Sequence, residues 1–379
     1  MLDIPSTIKY PLAWGFKREP ARPPHLRIDY CGGMKFDDNF DWDNLWYDAT
    51  QLNPSTVLLI GAPLYGTKDW LQNNATFETN NGTKLSFRFA ELDRVCYTIV
   101  TVSEELEKIY LVTNTERTEI KINHNDGQFN GIPVMVTLQK DNPISWITQW
   151  IRYHSEVMGV GGFLIYDNGS TKYSLNELEA ALSKTKAKVR VVSWPYPYGP
   201  QGSDFAPWDS DYGQYVMLEH AKWRYLSGSS LVLNNDVDEL VVTKGINLRD
   251  IAEFLRNNNS CQCIRYRGIW IEPYDIVNKE SANTVPFEHR RFKDYYCTDD
   301  NNKIGIGYKW LLMPSQNNIN QQWLVHHING PMIESDQMFY AHYMSMNTNW
   351  SWSRDHFKGK VEDLVVNQHL LDKFNRMVD

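Results

Sequence analysis

From Gly131 onward, short apolar runs alternate with amphipathic segments, and three of those runs stop at an acid. The run IPVMVTL ends at Gln139-Lys140-Asp141. Asn142 then reads as an N-cap and Pro143 as the first helical residue of a segment whose Ile144, Ile147 and Ile151 share one face. GGFLIYDNGS (161–170) is a second strand, and SLNELEAALSK (174–184) a second helix that buries Leu175, Leu178 and Leu182. VRVVSWP (189–195) is a third strand and DYGQYVMLEHAKWRY (211–225) a helix, while SSLVLNNDVDELVV (229–242) reads as a fourth strand running into clustered acids. Parallel neighbours need long crossovers, so this rhythm dictates an α/β fold: a doubly wound, mostly parallel sheet with helices on both faces. Such sheets bind ligands beyond the carboxyl ends of their strands.

Residues 1–130 have a different texture. After a Pro- and Asp-rich lead containing PARPPH come short strand-like runs such as STVLLIGAPL, KLSFRF and VCYTIVTV, separated by NNGT, NTE and HNDG turns. This reads as an N-terminal, mostly antiparallel β-rich accessory module, with the doubly wound domain at 131–379. A structural role heads the readings of the module, followed by acceptor recognition and assembly. The length of 379 residues suits that division.

Composition removes several functions. Lys and Arg number 38 against 46 Asp and Glu, and no basic cluster is long enough to follow a phosphate backbone, so nucleic acid is not an expected partner. No apolar run approaches the roughly 18 residues that cross a bilayer, and the first residues lack a signal-peptide core. The five cysteines, Cys31, Cys96, Cys261, Cys263 and Cys297, are odd in number and lack zinc-type CxxC spacing. A glycan on the sequon at Asn168 would obstruct the cleft. The expectation is a soluble, cytoplasmic protein, at most peripheral to a membrane. The 14 Trp, 21 Tyr and 15 Phe suit flat sugar-binding surfaces and aromatic core packing equally.

Asp141, Asp167, and the pair Asp236 and Asp238 fall at strand ends, which a parallel sheet brings to one edge. Asp236 and Asp238, separated by Val237, follow the buried run Leu231-Val232-Leu233, so a turn there aims two carboxylates at one Mg²⁺ or Mn²⁺ ion. Such an ion neutralises a departing diphosphate. A lone D-x-D is usually a solvated acidic turn; its position after the fourth strand, with Asp167 upstream, favours the metal reading.

These segments resemble glycosyltransferase family 92 and related bacterial and viral enzymes of the GT-A fold. In that group a helix after the first strand ends W-x-x-Y/H-H, the second strand ends YDN-x-S and the acidic motif reads D-x-DE-hydrophobic. Here these are Trp150 to His154, Tyr166 to Ser170 and Asp236 to Leu240. FEHRRF (287–292), YKWLLMP (308–314), WLVHHING (323–330) and AHYMSMNTNWSWSRD (341–355) follow in a similar order; the family's FGSSG is replaced by Gly268-Ile269-Trp270-Ile271-Glu272-Pro273.

The resemblance implies metal-dependent, inverting transfer of a sugar from a UDP- or GDP-sugar to a glycan hydroxyl. It places Asp236 and Asp238 on metal and pyrophosphate, with Glu239 behind them and His327, or its neighbour His326, as a further ligand. Asp141 and Asp167 are expected on base or ribose, Gln214 at the donor, and Lys309 or Arg291 against phosphate charge. Glu272, Asp336 and Asp275 are the candidates for the catalytic base. His342 and Tyr343 match the family's HY and are read as shaping the cleft, and the loop carrying Trp194, Tyr196, Tyr198 and Trp208 offers sugar-stacking faces or packs on its own sheet. Two alternatives stand beside this reading: a nucleotidyltransferase making an activated sugar, and a non-enzymatic carbohydrate-binding protein. The first lacks its Gly- and Lys-rich phosphate loop, and the second has no need of acids at three strand ends. A zinc hydrolase is excluded by the missing HExxH.

Overall fold

The computed structural model describes residues 1–11, 14, 39–199, 212–258, 261–299, 306–314, 318–346, 348 and 353–377; Cys31, Trp208 and PARPPH lie outside them. Strand β1, Leu2–Asp3, precedes the module, whose first sheet joins β2 (Asp48–Asn53), β3 (Thr56–Gly61), β4 (Phe87–Leu92) and β5 (Val95–Thr101) in the order β2-β3-β5-β4. A second four-stranded sheet holds Arg117–Lys121, Lys108–Val112, Thr76–Glu78 and Lys84–Leu85. Every pairing within these two sheets is antiparallel, as the closely spaced turn signals require.

The larger sheet contains β1 and β6 (Pro133–Gln139), β7 (Gly162–Asp167), β8 (Lys188–Ser193), β9 (Leu231–Asn234), β10 (Glu239–Thr243), β11 (Cys263–Ile271), β12 (Ile306–Leu312) and β13 (Ile333–Tyr343). Their order is β1-β8-β7-β6-β9-β12-β11-β13-β10. The five strands from β1 to β9 run parallel; β12 reverses between β9 and β11, β13 is parallel to β11, and β10 closes the edge antiparallel to β13. The fold is therefore mixed α/β with a mostly parallel central sheet, as the sequence rhythm indicates. Two local readings change. The pairing of β1 with β8 puts the first residues in the large sheet rather than in the module. The segment read as a fourth strand is two strands, broken at the acidic motif, and its second half crosses to the opposite edge.

Helices α1 (Ile144–Glu156), α2 (Leu175–Leu182) and α4 (Leu248–Asn257) cover one face, while α3 (Tyr212–Arg224) and the module cover the other; α5 (Gln368–Phe374) ends the described chain. Asn142 does not cap α1, because Pro143 holds an extended backbone as N-cap and the helix starts one residue later. Capping boxes from Ser174 with Glu177 and from Asn247 with Asp250 begin α2 and α4. Helix α3 is buried on nearly all sides, including Glu219, His220, Lys222 and Arg224. Its charges are answered from the module and the sheet: His220 sits between Asp48 (2.8 Å) and Tyr166 (2.8 Å), and Glu219 bonds Lys222, Tyr97 and the Trp323 amide. Trp194 and Tyr196 are buried, the latter stacked 3.9 Å from Tyr47, so this part of the aromatic loop packs the core instead of offering open faces. Among the described residues four free, buried cysteines are present, and no helix is long and apolar enough to cross a membrane.

Candidate active site

The carboxyl ends of β6, β7, β8, β9, β11 and β13 and the starts of β10 and β12 share one edge of the sheet, by register. Between β9 and β10 the chain turns tightly, with the Glu239 amide bonding Asp236 O at 3.0 Å. Strand β10 then pairs with β13 from Glu239 opposite His342. Among the described residues its other edge has no strand neighbour, so the outward N–H and C=O groups need partners. Helix α1 supplies them. Trp150 Nε1 donates to Glu239 O (2.9 Å), Tyr153 OH donates to Val241 O (3.1 Å), and the Val241 amide donates to His154 Nε2 (3.1 Å). The W-x-x-Y-H signature is thus a clamp that fixes the strand leaving the acidic turn, rather than a set of reacting groups.

His154 Nδ1 lies 2.9 Å from the Trp150 carbonyl, which only accepts, so the ring is neutral with its proton on Nδ1. Burial lowers its pKa to about 3. An unfolded histidine takes up a proton near pH 6.5, so unfolding is favoured increasingly as pH falls from there towards 3. Denaturant midpoints measured at pH 7 and pH 4 should show this loss, and His154→Gln, which keeps an acceptor, should lose stability less steeply over that interval. An equal slope in both proteins would exclude His154 as its source.

The acidic turn collects positive charge. Lys309 Nζ, fully buried, donates to Asp236 Oδ2 at 2.8 Å and lies 3.5 Å from Glu239 Oε2. Burial alone would lower the pKa of this lysine, and Asp236 and Glu239 outweigh it and raise it. Burial raises the Glu239 carboxyl against the pull of Lys309. Glu239 Oε2 also accepts from Asn235 Nδ2 and the Asp236 amide, both at 3.0 Å, and Tyr266 OH holds Asn235 at 2.6 Å. Asp238 Oδ2 meets His342 Nε2 at 3.1 Å and Arg354 at 3.0 Å. Burial works to raise its pKa, yet His342 and Arg354 bring it down to about 2. The His342 ring stacks on Trp270 at 4.4 Å, next to the strand end that leads to Glu272. Gly268 sits beside Tyr340, where a Cβ would meet the phenol ring at 2.3 Å, so a larger residue in β11 there has to displace the Tyr340 ring.

The other expected residues divide. Asp141 and Asp167 both lie at the shared edge, engaged with the loop between them. Asp167 accepts from the Ser170 amide (2.8 Å), Ser170 Oγ (2.6 Å) and Gln139, while Asp141 Oδ1 accepts from the amides of Thr171 (2.6 Å) and Lys172 (3.0 Å). Gln214, in the first turn of α3, accepts from Tyr198 OH at 2.7 Å. Glu272 is buried just past β11, and among the described residues its carboxylate has no hydrogen-bond donor. Burial first, then the charge of Asp299, raises it to about 6. Asp275 is spent on its own turn, accepting from the amides of Val277 and Asn278 and from Asn278 Nδ2. Asp336 is exposed beyond Met338, which pairs with Thr243, and so lies at the opposite end of β13 from His342.

Arg291 is exposed and paired with Asp294, so of these two expected cations it is Lys309 that meets the acids. His326 and His327 are both exposed; His326 is bonded to Tyr308 O at 3.0 Å and feels the charges of Lys309 and Asp236. Asp236, Asp238 and His327 do not form a preassembled trio: among the described residues no three His, Cys, Asp or Glu side chains are grouped to hold a metal ion. Arg354, Trp270 and Tyr266 were not legible as site residues, because strand pairing brings Trp270 and Tyr266 to the turn and Arg354 reaches it from a non-strand segment after β13. The sole sequence signal for Arg354 is its place in the last family-like segment.

Residues 136–377 match glycosyltransferase family 92. The chain belongs to this family. The family is one of glycosyltransferase enzymes. No curated protein matches the chain. Among solved structures it is similar to the mannosyltransferase Ktr4p from S. cerevisiae, at 11% identity and a TM-score of 0.25, covering 40% of this chain and 42% of that one. HddC from Yersinia pseudotuberculosis is similar at 8% identity and a TM-score of 0.27, covering 55% and 92%. Core-mannan synthase A from Aspergillus fumigatus, in its Mn/GDP form, is similar at 11% and 0.24, covering 43% and 48%. The glycosyltransferase thus spans less than half the length of the two fungal enzymes.

Proposed function

We propose that this family 92 glycosyltransferase moves a sugar from a UDP- or GDP-sugar to a glycan hydroxyl with inversion, using a divalent cation held by Asp236 and Asp238. The observation that carries the reading is the charge arrangement at the sheet edge. On each aspartate the Oδ2 atom is engaged, by Lys309 in one case and by His342 and Arg354 in the other, while among the described residues neither Oδ1 accepts a hydrogen bond. Two carboxylate oxygens together with phosphate oxygens form a donor set suited to Mg²⁺ or Mn²⁺, which keep few protein ligands. Bound there, the ion would supply charge neutralisation of the departing diphosphate. Lys309 and Arg354 add fixed positive charge at the same place. Asp141, Asp167 and Gln214 line the donor end, the aspartates by holding the loops that receive base and ribose. Apart from β1, which joins the large sheet, residues 1–130 act as an accessory module beside the catalytic domain of 131–379.

Glu272 is the proposed base. Its carboxylate is buried, lacks a donor among the described residues and is raised to about 6, so its ionised form prevails above that pH and can accept the proton of the attacking hydroxyl. Asp275 and Asp336 are less suited, the first by its turn contacts and the second by its distance along β13. Calorimetric titration with UDP, GDP, CDP and dTDP, with and without Mn²⁺, tests the donor reading: binding of UDP or GDP that requires the ion is expected, and binding indifferent to the ion would remove the metal assignment. Glu272→Gln should reduce kcat about 10²-fold, leave nucleotide affinity unchanged and erase the rise in kcat/KM as pH passes 6. Retention of that rise would place the base elsewhere.

A further inference from the structure

At the end of β10 remote from the acidic turn, Thr243, Met158 and the C-terminal helix α5 border a cavity of about 420 Å³. Lys373 and Arg376 both line it. Lys373 is nine-tenths buried, and its Nζ donates to Thr243 Oγ1 at 3.0 Å. Among the described residues it has no carboxylate partner, which leaves two N–H groups idle. His369 and Asp372 line the cavity as well, and Asp372 accepts from Gln368 at 2.7 Å. Burial first, and then the charge of Arg376, lowers the pKa of Lys373, the signature of a cation without a counter-charge. Burying an ammonium group on one neutral acceptor is costly unless an anion completes the site.

We propose that this cavity binds inorganic phosphate or a small phosphomonoester, with Lys373 and Arg376 contacting its oxygens. A tetrahedral dianion offers acceptors to an ammonium and a guanidinium at once, where a carboxylate is matched by the guanidinium alone. The volume exceeds that of a single ion and leaves room for a sugar-sized carrier. The site is independent of the transfer reaction, since the four residue steps of β10 from Glu239 to Thr243 separate it from the acidic turn by roughly 13 Å.

The test uses the full chain and thermal unfolding at constant ionic strength, with inorganic phosphate and ribose 5-phosphate added in separate arms. Phosphate at ten times its Kd should raise the Tm by roughly 2 °C. Arg376→Gln, at an exposed position, and Lys373→Met should each abolish that shift. Lys373→Met should also raise the Tm in phosphate-free buffer, because it removes a buried charge that among the described residues has no carboxylate partner. A larger shift with ribose 5-phosphate identifies a carrier-bearing ligand and an equal one identifies the ion alone; both support the site. No shift in the unaltered protein, an undiminished shift in Arg376→Gln, or a lower phosphate-free Tm in Lys373→Met would overturn it.

Discussion

Asp238→Ala is expected to reduce sugar transfer by at least about 10³-fold while the protein stays folded. The side chain combines two roles in one carboxylate. Its Oδ2 fixes His342 and Arg354, and its Oδ1 is one of the two oxygens proposed for the cation. Because its pKa is held at about 2, the group is ionised at every working pH and contributes stability that is present above the ordinary carboxyl range and lost as pH falls through 2. The variant forgoes about 2 kcal/mol of that contribution, part of which Arg354 recovers through the 12% of its side chain that reaches solvent. Circular dichroism should therefore report a folded protein melting a few degrees lower, alongside donor hydrolysis or transfer near background. Turnover within tenfold of the unaltered enzyme would remove Asp238 from the chemistry.

Lys309→Met is expected to cost about 3–5 kcal/mol of stability near neutral pH and to weaken nucleotide binding with it. The lysine is fully buried and faces two acids, of which Glu239 is only 2% exposed. Removing the cation strands the carboxylates in a low-dielectric setting, and the cheapest relief is protonation of Glu239, whose pKa is already raised by burial. The deficit should accordingly be largest above pH 7 and shrink as pH falls. Urea denaturation at pH 8 and pH 5.5 measures this difference. A variant as stable as the unaltered protein at pH 8 would show that Lys309 does not neutralise the turn.

Local pattern carried much of the architecture. Strand-helix alternation from Gly131, with Leu175, Leu178 and Leu182 on one helical face, needs only the periods of a strand and a helix to be recognised, and it places Asp141, Asp167 and the D-x-D segment at one sheet edge. The family resemblance rested on the same segments, and the match over residues 136–377 confirms it. The buried character of α3 could not be read in this way, because charged residues such as Glu219 and Lys222 belong to a helix exterior until distant groups pair with them.

By itself, the sequence determined a doubly wound α/β sheet, an antiparallel module before it and an acidic turn at the edge formed by the strands' carboxyl ends, all through residues near one another in the chain. Only the tertiary structure broke the fourth strand at Asn235–Asp238, moved β10 to the far edge, put Asp336 at the end of β13 remote from His342, and surrounded the acids with Lys309, His342 and Arg354. Those partners lie 73, 104 and 116 residues from the aspartates they meet. Hydrophobic periodicity carries no information across such separations, because which strands pair, and in which register, is settled by the packing of the whole sheet.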